Sequence, residues 1–427
     1  MANTSIRSSI SRCRRWTKSD LAIAALLSTL LIALSLFIIS DSKKSSAVGS
    51  AAIAPLRSDY VELSLLKNAR SKGAYCLDGS VPGYHFQPGF GDGIENWVLH
   101  IEGGGWCYNV ASCSFRKGTA LGSSHHMEPY VVFSGILSQD PMQNPDFFSW
   151  NKVKIRYCDG GSFSGHPDKE FNNGTKLFFR GQAIWEALVD EILSLGMKNA
   201  KQALLSGCSA GGLATMIHCD DFQRILPRST VKCLADASFF LDEKDVSGRR
   251  TMRAFYQNVV QLQSVAKSLP KDCVAKREPA ECFFPEEILK SIRTPIFLVH
   301  TAYDFWQIQN VLVPKASDPL DEWRKCKLNI HHCRPSEMEI LHGFRDSLLK
   351  ALDDFKKKKE SGMFINSCFI HCQTWMNTWH RPDSPKIDNK TIAEAVGDWY
   401  FNRREVNLID CRYPCNPTCF NVDFIRS

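Results

Sequence analysis

Gly207-Cys208-Ser209-Ala210-Gly211 places one serine between small residues in the pattern G-x-S-x-G. A serine hydroxyl becomes a nucleophile when a histidine can take its proton and an acid orients that histidine. The pattern alone is weak, since a tight strand-to-helix turn that binds nothing would read the same way. Its surroundings strengthen it: Ala203-Leu204-Leu205 precedes it as a strand-like run, and Gly212 with Leu213 to Ile217 follows as a helix-like one. Strand, G-x-S-x-G, helix is the context of a nucleophile elbow, with Ser209 at its tip.

Such a serine needs donors for the developing oxyanion. Glu102-Gly103-Gly104-Gly105-Trp106 offers them at the end of an earlier apolar run, where esterases carry a glycine loop. Glycine suits the task because its backbone N–H can turn freely towards charge. No Lys-Ser/Thr follows, so this is not a phosphate-binding Walker loop, and no G-x-G-x-x-G is present for a dinucleotide.

The order Ser, acid, His requires the partners downstream. Asp304 stands just beyond Ile296-Phe297-Leu298-Val299, although an aspartate there also suits a helix cap. The histidine candidates are His331, His332, His342, His371 and His380, with His300 too early in a strand. His371 is preferred because Cys368 and Cys372 could pin its loop; His380 is the reserve and His342 follows it.

The elements that must position these residues are legible as apolar runs ending in glycine or an acid. Trp97 to Ile101 runs into Glu102, and Val153 to Tyr157 runs into Cys158-Asp159-Gly160-Gly161. Ala183, Ile184, Leu188, Ile192 and Leu195 then keep helical spacing up to Gly196. Strand, helix, strand in that order implies a βαβ unit and a parallel sheet, whose functional groups lie beyond the carboxyl ends of the strands. The fold class expected is α/β, of α/β-hydrolase type, with a mostly parallel central sheet flanked by helices and stabilised by disulfides. No repeat of 20–50 residues is present.

The chain has 427 residues, 44% hydrophobic and 23% charged, as a folded globular protein should. Its net charge of +7 is concentrated at the N-terminus, where residues 1–57 hold eight Lys/Arg and two Asp/Glu. The remainder is balanced, which argues against nucleic acid as a partner. Residues 1–20 read as a basic cytosolic-side tail, 21–40 as an uncharged signal peptide or type II signal anchor, 41–57 as a Ser/Ala-rich stem, and 58–427 as the catalytic domain. Sequons at Asn173 and Asn389 fit a lumenal or extracellular domain.

Sixteen of the 17 cysteines follow residue 75, which indicates an oxidising compartment. Cys411-x3-Cys415-x3-Cys419 and His331-His332-Cys333 lack the spacing of structural zinc sites. Cys107 with Cys113, and Cys326 with Cys333, are close enough to close small loops. Cys208, inside the elbow, is expected to be a buried free thiol, which would leave at least one other cysteine unpaired.

LSGCSAGGLA around Ser209, HIEGGGWC at 100–107, YCDGGSFSG at 157–165, TAYDFWQ at 301–307 and NSCFIHCQTW at 366–375 together resemble the plant pectin acetylesterases, relatives of the Notum carboxylesterases. The resemblance runs from about residue 60 to the end. It implies Ser209 as nucleophile, Asp304 as acid and His371 as base, which decides between His371 and His380. It implies an oxyanion hole from the backbone N–H groups of Gly104, Gly105 and Ala210. It further implies hydrolysis of O-acetyl esters on galacturonic acid in pectin, with no cofactor and no metal, in the cell wall. A Notum-like lipid esterase, an inactive polysaccharide-binding module and an acyl transferase are the competing readings.

Overall fold

The computed structural model describes residues 59–167, 171–172 and 176–425. The segments 1–20, 21–40 and 41–57 and the sequon asparagine Asn173 lie outside the described residues, whereas Asn389 is exposed. No helix among the described residues is long and apolar enough to cross a membrane.

Ten of the twelve strands among the described residues form one sheet. In chain order the strands are β1 (Tyr60–Leu65), β2 (Gly83–Gln87), β3 (Asn96–Ile101), β4 (Tyr130–Val132), β5 (Asn151–Ile155), the ribbon β6 (Phe171–Asn172) and β7 (Lys176–Leu177), β8 (Gln202–Cys208), β9 (Thr230–Asp236), β10 (Ile296–Thr301), β11 (Gly362–Asn366) and β12 (Asn407–Ile409). The large sheet has the order β12-β11-β10-β9-β8-β3-β5-β2-β1-β4. From β12 to β5 every neighbouring pair is parallel; β2, β1 and β4 add an antiparallel edge.

The parallel strands are apolar along their whole length because both faces are covered. Alternation sorts their side chains between two cores. Leu99, Ala203, Leu205, Ala235, Leu298 and Ile365 pack on one face. Val98, Leu204, Leu234, Val299 and Phe364 pack on the other. The five helices that matter here are α1 (Gly181–Ser194), α2 (Ala210–Ile225), α3 (Thr251–Gln263), α4 (Pro335–Ala351) and α5 (Ile392–Tyr400). α1 carries the chain from β5 over β3 to β8, as the βαβ pattern requires, and Gly196 ends the turn after it with a φ of 123°. The run Val153 to Tyr157 leaves the sheet two residues early. There the Tyr157 N–H donates to Glu102 Oε2 at 3.2 Å instead of continuing a ladder.

Eight disulfides pair all sixteen cysteines beyond residue 75: 76–158, 107–113, 208–372, 219–233, 273–282, 326–333, 368–419 and 411–415. The two short loops expected from spacing are closed. The expectation of a free Cys208 is overturned, since Cys208 is bridged to Cys372 across 164 residues of sequence. Burial of Cys208 was read correctly, at 3% exposure. Burial does not isolate this cysteine, because the loop after β11 folds back over the strand ends and brings a second buried cysteine against it.

Candidate active site

Ser209 sits between the end of β8 and the start of α2 with φ 58° and ψ −126°, a conformation that costs an ordinary residue about 1–3 kcal/mol. The small neighbours are steric requirements. A Cβ at Gly207 would lie 2.3 Å from the Gly211 carbonyl oxygen, and one at Gly211 would lie 2.3 Å from that of Ile101. The elbow is therefore wedged between its own helix and β3. The Ser209 N–H donates to the Asp236 carbonyl at 2.8 Å, fixing the turn to the end of β9.

Asp304 follows β10 and uses its two carboxylate oxygens differently. Oδ1 accepts from the backbone N–H groups of Trp306, at 2.8 Å, and Gln307, at 3.1 Å. Oδ2 accepts from His371 Nδ1 at 2.7 Å. The helix cap and the partner of His371 are thus one residue, and the cap aims the second oxygen. With its Nδ1 proton held by Asp304, the imidazole presents Nε2 as a base. Trp306 lies over the His371 ring with centroids 6.0 Å apart, and Phe305 meets it edge-on.

The loop 367–375 that carries His371 is fastened at several points. Cys368 is bridged to Cys419, and Cys372 to Cys208 beside the serine. Asp236 Oδ2 accepts from the backbone N–H groups of Gln373 at 2.6 Å and Thr374 at 2.8 Å, and from the Thr374 hydroxyl at 2.9 Å. Burial raises the Asp236 carboxyl to about 6, against the lowering effect of those donors.

The glycine loop is held from behind. Arg116 Nη1 donates to the Gly104 carbonyl at 2.7 Å, and the Tyr157 hydroxyl donates to that of Gly105 at 2.7 Å. In a trans peptide, the Gly104 carbonyl held one way turns the Gly105 N–H the opposite way. Gly104 and Gly105 have φ values of 147° and 63°, and a Cβ at Gly104 would strike Leu121 at 2.7 Å. Ser162 joins this loop to the elbow: its hydroxyl donates to the Ala210 carbonyl at 2.8 Å and accepts from Trp106 Nε1 at 2.7 Å. No turn or cap hydrogen bond among the described residues engages the N–H of Gly104, Gly105 or Ala210.

Ser209, His371 and Gly103 to Gly105 line one cavity of about 370 Å³, together with His100, Glu102, Lys154, Val132, Phe133, Leu137, Trp306 and Trp375. Asp304 stands behind His371, 1% exposed. The alternative histidines are engaged elsewhere: His380 with Thr391, His342 with the Tyr303 hydroxyl and His331 with the Tyr413 hydroxyl. Sequence reasoning missed Asp236, the Cys208–Cys372 bridge and Lys154. Asp236 carried a signal, because it ends the apolar run Leu234-Ala235 as the other site residues end theirs; the bridge carried none.

Fold and site together define a hydrolase of the α/β class with a serine, histidine and aspartate grouped at the strand ends. The Pectinacetylesterase family model matches residues 56–420, and the chain belongs to that family. It is 57% identical over 422 residues to pectin acetylesterase 5 of Arabidopsis thaliana, covering 98% of each chain. It is 27% identical to palmitoleoyl-protein carboxylesterase notum1 of Xenopus laevis, over 85% of this chain and 75% of that one. The solved structure of the Wnt deacylase Notum from Drosophila superposes with a TM-score of 0.71 at 23% identity, covering 84% of this chain and 99% of that one.

Proposed function

We propose that this chain is a pectin acetylesterase, releasing acetate from O-acetylated galacturonic acid through an acetyl-enzyme on Ser209. The observation that carries the chemistry is the 2.7 Å contact of His371 Nδ1 with Asp304, on a histidine lining the same cavity as Ser209. The substrate follows from membership of the family and from 57% identity along almost the whole chain.

His371 Nε2 takes the hydroxyl proton as Ser209 Oγ attacks the acetyl carbonyl carbon, and Asp304 holds the imidazolium that results. The oxyanion is received by the N–H groups of Gly104, Gly105 and Ala210, each donor of this kind contributing about 3–4 kcal/mol to the transition state. On collapse, the C–O bond to the sugar breaks and His371 returns the proton to the sugar oxygen. Water then attacks the acetyl-serine by the same proton route, releasing acetate and restoring the hydroxyl.

A lipid-ester reading is suggested by Val132, Phe133 and Leu137 in the cavity wall. Against it, Glu102 and Lys154 also line the cavity, and an alkyl chain laid beside them would strip water from both charges without replacing it. Eight disulfides support delivery to an oxidising compartment on the secretory route. Acetate release from acetylated pectin by the purified protein tests the reading. Turnover of long-chain p-nitrophenyl esters with no acetate from pectin would favour the lipid esterase instead.

A further inference from the structure

Lys154 lines the catalytic cavity, paired with Glu102 by charge but with its ammonium donors unused among the described residues. It lies on β5, in register with His100 on β3, which is in register with Ser206 on β8. This row stands just below the strand ends where Ser209 sits. The Lys154 side chain is 23% exposed, and its ammonium makes no hydrogen bond among the described residues. The nearest carboxylate oxygen, Glu102 Oε1, is 3.6 Å from Nζ, beyond hydrogen-bonding distance.

Glu102 is itself committed. Its Oε2 accepts from Arg156 Nε at 2.9 Å and from the Tyr157 N–H at 3.2 Å. Arg156 is 2% exposed and also pairs with Glu128 at 2.6 Å, whose side chain is 62% exposed. Glu102 is therefore shared between Arg156, which it hydrogen-bonds, and Lys154, which it meets only by charge, and the Lys154 donors are left to the cavity. The other basic residues lining the cavity cannot take its place. His100 donates or accepts at Ser206 Oγ, and burial lowers it to about 3, so it is neutral; His371 is bound to Asp304. A partly buried ammonium with free donors in the cavity wall is a receptor for an anion.

We propose that Lys154 binds the carboxylate of the uronic acid unit whose acetyl group is being removed, making it a specificity-determining residue for the reaction. The inference rests on the reading given under Proposed function. The acetyl group occupies little of the cavity, so the ring that bears it must enter as well. In a galacturonic acid unit the carboxylate on C5 lies across the ring from O2 and O3, the hydroxyls that carry acetyl. Lys154 lies on the strand row below Ser209, lines the cavity this ring must enter, and is paired with Glu102 by charge without a hydrogen bond.

The test compares two acetylated homogalacturonans, one with free carboxylates and one with the carboxylates methyl-esterified, for the full chain and for Lys154→Met and Lys154→Arg. The quantity read is the ratio of kcat/KM for the two polymers, with a thermal melt establishing that each variant is folded. The native enzyme should favour the free-carboxylate polymer. Lys154→Met should lower that ratio about tenfold or more, mainly through KM, and Lys154→Arg should keep most of it. An unchanged ratio in Lys154→Met would overturn the role of Lys154 and leave the esterase reading standing. Failure of the native protein to deacetylate either polymer, while it cleaves p-nitrophenyl acetate, would overturn both.

Discussion

The elbow that carries Ser209 and the loop that carries His371 meet in one site, yet they are specified in opposite ways. The elbow's sequence requirement is local: Gly207, Gly211 and Gly212 lie within six consecutive residues, and the space they leave is filled by the Gly211 carbonyl, the Ile101 and Glu102 carbonyls and the Ser238 side chain respectively. The histidine loop is held by partners far away in sequence: Cys208, Cys419, Asp236 and Asp304. A site can thus combine one member whose geometry is built into its own turn with another that exists only once the rest of the fold has formed.

Breaking the comparison at its chemical centre gives the largest effect. Ser209→Ala should lower kcat by at least about 1,000-fold, because the attacking oxygen is gone, while the melting temperature stays close to native. Acetate assays beside a thermal melt check both halves. Next, Gly211→Ala should fail through folding, not chemistry. The added Cβ meets the Ile101 and Glu102 carbonyl oxygens at 2.3 and 2.5 Å, both backbone, so nothing flexible can yield. A loss of about 3 kcal/mol or more in denaturant unfolding, or collapse of the secreted yield, is expected.

The histidine loop should fail differently. Cys208→Ala with Cys372→Ala removes its tie to the elbow, and kcat should fall about tenfold with KM for p-nitrophenyl acetate little changed, since binding survives and alignment of the base does not. Steady-state kinetics decide this; an unaltered kcat would mean that Asp304 and Asp236 suffice to place His371. Peptide mapping that finds Cys208 unbridged would remove the premise.

The elbow was legible in the sequence because its constraints are short-ranged. Strand, small residues, serine and helix stand side by side, and the glycine loop announces itself by composition. Asp304 was legible by its place after a strand. His371 was preferred to His380 and His342 only for the cysteines beside it, and resemblance to a family decided the choice. The Cys208 error has the same origin, since nothing near residue 208 says that residue 372 will face it. The antiparallel edge strands β1, β2 and β4 also went unseen. β1 is half-exposed and only six residues long, and β4 has three, too short for alternation to register.

The smallest expected effect is on stability against pH. Burial lowers His85, His218 and His300 to about 4 and His100 to about 3, from the ordinary 6.5. Between about pH 4 and 6.5 the unfolded chain holds protons on these residues that the fold refuses, so stability rises with pH across that window. Asp159 and Asp236, raised by burial to about 6 from 3.8, keep protons in the fold that the unfolded chain has shed, and pull the other way. Four histidines against two aspartates leave a net rise, measurable as a melting temperature that climbs from pH 4 to 6.5. His218→Gln should flatten the slope by about one proton.

The central claim, that Ser209 carries the acetyl group during turnover, is tested most directly by acid-quenching the enzyme during hydrolysis of acetylated pectin and weighing the peptide that contains residues 202–225. The account predicts that this peptide gains the mass of one acetyl group, assigned to Ser209 by fragmentation and absent without substrate. Steady acetate release by the Ser209→Ala enzyme at the native rate, with no acetyl found on that peptide in the native one, would contradict it.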